Sequence, residues 1–233
     1  MDETHSVVAA RPGSHERPAA PSSVLVMVAP TVTFAESYVA EDLVLQTARS
    51  LAEEVGLDSV TAGAGAVLRL LATANGARAV VEIGTGTGVS GVWLLRGMRP
   101  DGVLTTIDLE NEHQRVARRI FQEAGFAPSR TRIITGRALD VLPRLTDGGY
   151  DLVVVDADRT EFAACVQAAA RLLRPGGVVA VNQALPARIG DPAARDPETV
   201  AVREVLRDVR EAEDEWVAAL VPAGAGLLVA VRR

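Results

Sequence analysis

The sequence predicts an α/β fold built on a mostly parallel, seven-stranded sheet with helices on both faces and an antiparallel last strand. Three observations carry this reading. Short valine-rich runs alternate with helical stretches from Ala77 onward, the pattern of right-handed βαβ units whose strands are covered on both faces. A glycine loop, "GTGTG", follows the first of these runs. The chain ends on "EWVAALV" and "GLLVAVRR", separated only by a Pro-Ala-Gly-Ala-Gly turn, and two runs that close together form a hairpin.

In chain order, residues 1–33 hold Pro12, Pro18, Pro21 and Pro30 without a sustained period and are expected to be a flexible tail, with some order around Val24–Val28. The folded domain is expected over 34–233. "ESYVAEDLVLQTARSLAEEVGL" sets Val39, Leu43, Leu51 and Val55 at helix-like spacings, and "GAVLRLLATANG" is a second helix closed by Gly76. The strands are then "ARAVVEIG", "GVLTTID", "TRIITG", "YDLVVVD" and "GGVVAVN". Between them lie helical stretches such as "NEHQRVARRIFQEAG" and "TEFAACVQAAARLL". A last helix opens at Asp196-Pro197-Glu198, an N-cap with proline at the first helical position.

Composition narrows the function. A chain of 233 residues with 48% hydrophobic and 23% charged residues suits one soluble domain. Net charge is −6 without a basic stripe, which argues against a nucleic-acid partner, and no apolar run has the length of a membrane span. All 24 basic residues are arginine, so no lysine base is available. Cys165 sits on an apolar helix face and is expected to pack rather than react. With no basic n-region at "MDETH", a secretory signal is not expected and the compartment read is the cytoplasm.

Chemistry concentrates at the ends of strands. Gly84, Gly86 and Gly88 follow "AVVEI", where a ligand can approach the backbone and meet a helix N-terminus. The dinucleotide pattern G-x-G-x-x-G is not met, because Val89 holds the third position. Glu82 precedes the loop, and a carboxylate there suits an ammonium-bearing ligand better than a pyrophosphate. S-adenosylmethionine is such a ligand. Asp108 ends the second strand, where an acid can take both ribose hydroxyls.

From about residue 36 to the end, the chain resembles the S-adenosylmethionine-dependent O-methyltransferases of the caffeoyl-coenzyme A and catechol type, particularly their small bacterial members. The matching segments are "VTAGAG", "VEIGTGTGVS", "DGVLTTIDLE", "TGRALDVL", "YDLVVVDAD", "RPGGVVAV" and "LVPAGAGLLVAVRR". The resemblance implies a Rossmann-like methyltransferase fold, a homodimer, a small-molecule acceptor and a cofactor site. In it Val60 touches the methionine end, Glu82 holds the amino group, and Gly84 and Thr85 line the loop. Ser90 bonds the carboxylate, Asp108 takes the ribose, Ala138 faces the adenine through its backbone, and Asp158 lies near the methionine moiety. In that family Asp156 contacts substrate and a divalent metal, and it is the candidate catalytic group here; Asn182 is expected beside the substrate.

Two departures stand out. Relatives that use a divalent metal complete its shell with an Asp-Asn pair after the fifth strand, and here Asn182-Gln183 stand in that place. A set of one carboxylate and two amides is poor for Mg²⁺, so no metal residue is assigned. The lysine that commonly follows the second aspartate is Arg159 here. A phenol of pKa near 10 is ionised to roughly one part in a thousand at pH 7, a handicap of about 4 kcal/mol. A more acidic substrate, Asp156 as base, or weak metal binding through Asp156 and the amides could each offset it. His113 is read as a solvated helix residue near the cofactor rim, Trp93 as packing, and Trp216 as packing or a dimer surface. A binding protein with lapsed catalysis is the alternative function.

Overall fold

The computed structural model describes residues 22–233, with side chains from Pro30 onward. Two compact units divide after Phe34. The first holds most of helix α1 (Ser22–Ser37). Of the segment read as a tail, residues 1–21 lie outside the described residues and 22–33 are helical.

In the second unit, 35–233, a seven-stranded sheet runs in the order β3-β2-β1-β4-β5-β7-β6. Its strands are β1 (Ala79–Ile83), β2 (Val103–Asp108), β3 (Thr131–Thr135), β4 (Tyr150–Val155), β5 (Leu173–Asn182), β6 (Trp216–Val221) and β7 (Leu227–Arg232). Strands β1 to β5 pair in parallel, and β7 is antiparallel to both β5 and β6. The expected architecture is therefore present, with the terminal hairpin inserting its last strand next to β5. Helices α2 (Leu43–Glu54), α3 (Ala62–Ala74), α4 (Val89–Gly97) and α5 (Asn111–Glu123) contribute to one apolar layer. Helices α6 (Ala138–Val141), α7 (Phe162–Leu172) and α8 (Pro197–Glu211) contribute to the other. Central strands covered twice explain why Val80, Val81 and Val153–Val155 are all fully buried.

One helix expectation needs correction. The stretch from Glu36 has Val39, Leu43, Leu51 and Val55 at helix-like spacings throughout, yet α2 begins only at Leu43. Asp42 stops it from starting earlier, because its side chain accepts the Leu45 N–H at 3.1 Å as an N-cap. The buried face is Leu45, Ala48 and Ala52, while Leu43 and Val55 are exposed. Small alanines let α2 approach closely enough for the Thr87 hydroxyl to donate to the Ala48 carbonyl at 2.8 Å.

Trp93 and Trp216 both pack in the core, and the Trp93 indole also reaches Glu41 Oε1 at 3.4 Å. Cys165 is fully buried, and burial pushes its thiol up to about 12, with Glu161 adding repulsion. Among the described residues, no helix is long and apolar enough to cross a membrane.

Candidate functional site

After β1 the chain crosses to β2 and β3 on one side and returns as β4 on the other. Carboxyl ends of strands flanking such a switch point diverge and leave a crevice. A cavity of about 370 Å³ occupies it, a size suited to a small molecule. Leu57, Asp58, Ser59 and Val60 form one wall, ahead of α3. The glycine loop, with Val89 and Ser90 of α4, forms the floor; Asp108, Leu109, Glu110 and His113 lie at the β2 end, and Asp156 and Gln183 at the other.

The loop's first glycine is a packing requirement. A Cβ on Gly84 would sit 1.9 Å from the Asp156 carbonyl oxygen, and its φ of +95° is left-handed, so the β1–β4 crossing closes only over glycine. Gly86 differs: at φ +48° a Cβ would meet nothing nearer than Leu57 Cδ1 at 3.8 Å. Its face opens onto the cavity. Beyond it α4 starts at Gly88 without a side-chain cap, which leaves helix N–H groups for a ligand.

Asp108 organises this loop. Its Oδ2 accepts the N–H groups of Thr85 and Gly86, each at 2.9 Å, and its Oδ1 accepts Glu110 N–H at 2.9 Å. His113 Nδ1 stands 3.8 Å from the same Oδ1. Below the loop, Glu82 is wholly buried. Its Oε2 accepts from the Thr106 hydroxyl at 2.6 Å, which is itself 2.7 Å from Thr85 Oγ1, while Oε1 has no partner. Burial pushes the Glu82 carboxyl up to about 7; the Thr106 and Ser90 hydroxyls close by pull it down, and the charges of Asp156 and Asp108 push it up.

Asp156 follows β4, its N–H donating to the Ile83 carbonyl at 2.8 Å. Burial raises its carboxyl to about 6 against hydrogen bonds from Asn182 and Gln183 and the positive charge of Arg159. Gln183 Nε2 donates to Asp156 Oδ1 at 3.1 Å, and Gln183 Oε1 accepts from Arg159 Nη2. This donor set does not fit a divalent metal. The Asn182 and Gln183 amides both hydrogen-bond to the one carboxylate of the set, and a guanidinium stands close by, where hard cations need several free oxygens.

Of the residues expected at the site, the cavity brings together Val60, Gly84, Thr85, Ser90, Asp108 and Asp156. Glu82 lies beneath its floor and Asn182 is buried behind Asp156. Ala138 opens α6 and does not line the cavity. Asp158 is exposed and caps the turn before α7, accepting Thr160 N–H at 2.8 Å and the Thr160 hydroxyl at 2.7 Å. Leu57, Asp58 and Ser59 had drawn no attention in the sequence. The one available signal is their position directly before the Thr61 N-cap of α3.

Similarity to known proteins agrees with this geometry. A family model described as O-methyltransferase matches residues 31–233. A Mycobacterium marinum protein named as an O-methyltransferase is 56% identical over 199 residues, which are 85% of this chain and 88% of the relative. Among solved structures, the Streptomyces achromogenes O-methyltransferase TomG, involved in tomaymycin synthesis and solved with S-adenosylmethionine, is 33% identical. It superposes with a TM-score of 0.76 over 88% of this chain and 96% of that one. A Bacillus cereus O-methyltransferase in complex with S-adenosylhomocysteine is 27% identical, with a TM-score of 0.77 over 88% and 97%. With its strand order, its glycine loop and acids at the carboxyl ends of β1, β2 and β4, this chain belongs to the S-adenosylmethionine-dependent O-methyltransferase family.

Proposed function

We propose that residues 34–233 bind S-adenosylmethionine in this cavity and methylate a hydroxyl oxygen of a small phenol or catechol without a divalent metal. The observation that carries the reading is that Asp108 and Asp156, at the carboxyl ends of the two strands that flank β1, line one cavity with the glycine loop. The orphaned Glu82 Oε1 supports an ammonium nearby. Val60, Gly84, Thr85 and Ser90 would surround the methionine end and Asp108 would take the ribose. Ala138 and Asp158 lie outside the cavity, so we assign them no direct contact.

Bound S-adenosylmethionine would supply an electrophilic methyl carbon on a sulfonium, whose carbon–sulfur bond would break to leave the neutral thioether of S-adenosylhomocysteine. Loop and strand ends hold the acceptor oxygen in line with it, since alignment alone is worth many orders of magnitude in effective concentration. Asp156, with Asn182 and Gln183 on its carboxylate, accepts the hydroxyl proton. Its pKa near 6 lies about four units below a phenol's, an uphill transfer of about 5 kcal/mol. The proton therefore leaves as the new O–C bond forms rather than before it.

Calorimetry with S-adenosylhomocysteine, then methyl transfer to a panel of phenols and catechols in the presence of EDTA, tests this. Binding with turnover in EDTA is expected. Absence of binding removes the cofactor reading, binding without any turnover favours a lapsed enzyme, and activity restored only by Mg²⁺ or Mn²⁺ overturns metal independence. A homodimer belongs to the same reading, supported by exposed Val217 and Leu220 on the edge strand β6. Sedimentation equilibrium checks it.

A further inference from the structure

Arg159 does not line the cavity, yet it governs a residue that does. Its Nη2 donates to Gln183 Oε1 and its Nη1 to Glu198 on α8. A guanidinium carries donors only, so the end of the Gln183 amide facing Arg159 has to be the oxygen. That leaves the NH₂ end for Asp156, which accepts it at 3.1 Å. The orientation of this amide is thus imposed by chemistry.

Two local costs fall on the same pair of residues. Gln183, at φ +59°, is the one non-glycine residue with positive φ among the described residues, a conformation that costs roughly 1–2 kcal/mol when a Cβ is present. Arg159 Nε is buried without a partner, which costs about 1–3 kcal/mol. Selection for stability alone would remove both. Adjacent costs of this kind persist where geometry serves a site.

We propose that Arg159 is a positioning residue for methyl transfer: braced by Glu198, it turns the Gln183 amide so that an N–H, and not the amide oxygen, meets Asp156. The proposal rests on the reading that Asp156 faces the acceptor hydroxyl. It has two consequences. Gln183 presents N–H groups rather than its oxygen beside Asp156, so the amide oxygen faces the guanidinium and the protein's own Arg159 supplies positive charge at that edge. Asp156 is held as an acceptor with one oxygen anchored, and its position no longer depends on substrate.

The first test needs no acceptor. In ¹⁵N NMR of the protein without added ligand, the Gln183 side-chain amide, assigned by its loss in Gln183→Glu, is expected to exchange with solvent at least tenfold more slowly than exposed glutamine amides. Arg159→Ala should abolish that protection, Arg159→Lys restore part of it, and Glu198→Ala reduce it moderately. The second test uses catechol as the acceptor probe at saturating S-adenosylmethionine. Arg159→Ala is expected to lower kcat at least tenfold while the Kd for S-adenosylhomocysteine stays within twofold, with Arg159→Lys between. An unprotected amide in the native protein, or one unchanged in Arg159→Ala, overturns the proposal, as does a kcat loss matched by an equal loss of affinity. If Arg159→Ala fails to fold, Arg159→Lys and Glu198→Ala decide the same question. Failure of the native protein to bind S-adenosylhomocysteine would strike the functional reading instead.

Discussion

Glu82 Oε2 accepts a hydrogen bond from Thr106 Oγ1 at 2.6 Å, while Oε1 of the same buried carboxylate has no partner. A half-satisfied carboxylate under a ligand cavity is costly until an N–H donor or a cation completes it. With its pKa pushed by burial to about 7, Glu82 should gate cofactor affinity. Calorimetric Kd values for S-adenosylhomocysteine are expected to tighten by up to about tenfold between pH 6 and pH 8, as the carboxylate forms, and to level off above. Glu82→Gln should bind at least tenfold more weakly at pH 8 and lose the dependence. A native Kd that is flat across this range would contradict the assignment.

The same carboxylate sets a stability trend of opposite sense. Its folded pKa, about 7, lies above the ordinary 4.5, so the folded state holds the proton more tightly than the unfolded state between those values. Stability must therefore fall as pH rises from about 4.5 to 7, by up to roughly 3 kcal/mol. Glu82→Gln lacks this loss. Urea denaturation without cofactor is expected to find the variant more stable than the native protein at pH 8, with the difference shrinking towards pH 5.

Gly84 and Gly86 look equivalent in the sequence and are not equivalent in the fold. Gly84→Ala would drive a Cβ to 1.9 Å from the Asp156 carbonyl oxygen, so the β1–β4 crossing has to open, and a loss of more than about 3 kcal/mol is expected. Gly86→Ala meets only Leu57 Cδ1 at 3.8 Å and should cost roughly 1–2 kcal/mol, from its left-handed backbone alone. Thermal melts of the two variants should differ accordingly. Similar melting temperatures would show that the crossing is more yielding than its geometry implies.

Asp151 and Asp156 sit at opposite ends of one strand and divide structure from chemistry. Asp151 Oδ2 accepts the N–H groups of Arg78 at 2.7 Å and Ala79 at 2.9 Å, and Oδ1 accepts Arg174 Nε at 2.7 Å. Burial pushes its carboxyl up, but these donors prevail and hold it below the usual range. Its contribution is therefore complete above about pH 4 and lost as pH falls through the lowered folded value. Asp151→Ala should destabilise by about 2–3 kcal/mol at pH 7. At roughly 16 Å from Asp156, five residues along an extended strand, it should leave the Kd for S-adenosylhomocysteine within twofold.

The difference between these two acids shows what could be read from the chain alone. Strands announce themselves by apolar runs and polar ends, so the sheet, the antiparallel last strand and the acids at the carboxyl ends of β1, β2 and β4 were legible. Asp158 was not separable from Asp156 by pattern, because capping a turn and facing a ligand call for the same side chain. Gln183 was visible only as a departure from a motif; its left-handed backbone and its bond to Arg159 depend on the end of β5 and the turn before α7 meeting in space. The start of α2 was misread because a cap, Asp42, sits inside an otherwise periodic stretch. The cavity wall at Leu57–Val60 left almost no trace, since it is fixed by a side chain from another helix.

That side chain is Arg49. Its Nη1 donates to Ser59 Oγ at 2.9 Å and its Nη2 to the Val60 carbonyl at 2.8 Å, while Glu41 takes Nε at 2.9 Å and Nη2 at 2.5 Å. A guanidinium fixed on one side by a carboxylate and on the other by a loop is a rigid brace, because its donors lie in one plane. Without it, Ser59 and Val60 lose two tethers and the wall of the cavity relaxes outward. Arg49→Ala is expected to weaken S-adenosylhomocysteine binding by about tenfold, equivalent to about 1.4 kcal/mol, while kcat at saturating cofactor falls less than threefold. Arg49→Lys cannot span both partners and should recover only part of the affinity. A Kd unchanged in Arg49→Ala would mean that the Thr61 cap of α3 alone holds the wall. An equal fall in kcat would instead place the wall in contact with the reacting groups.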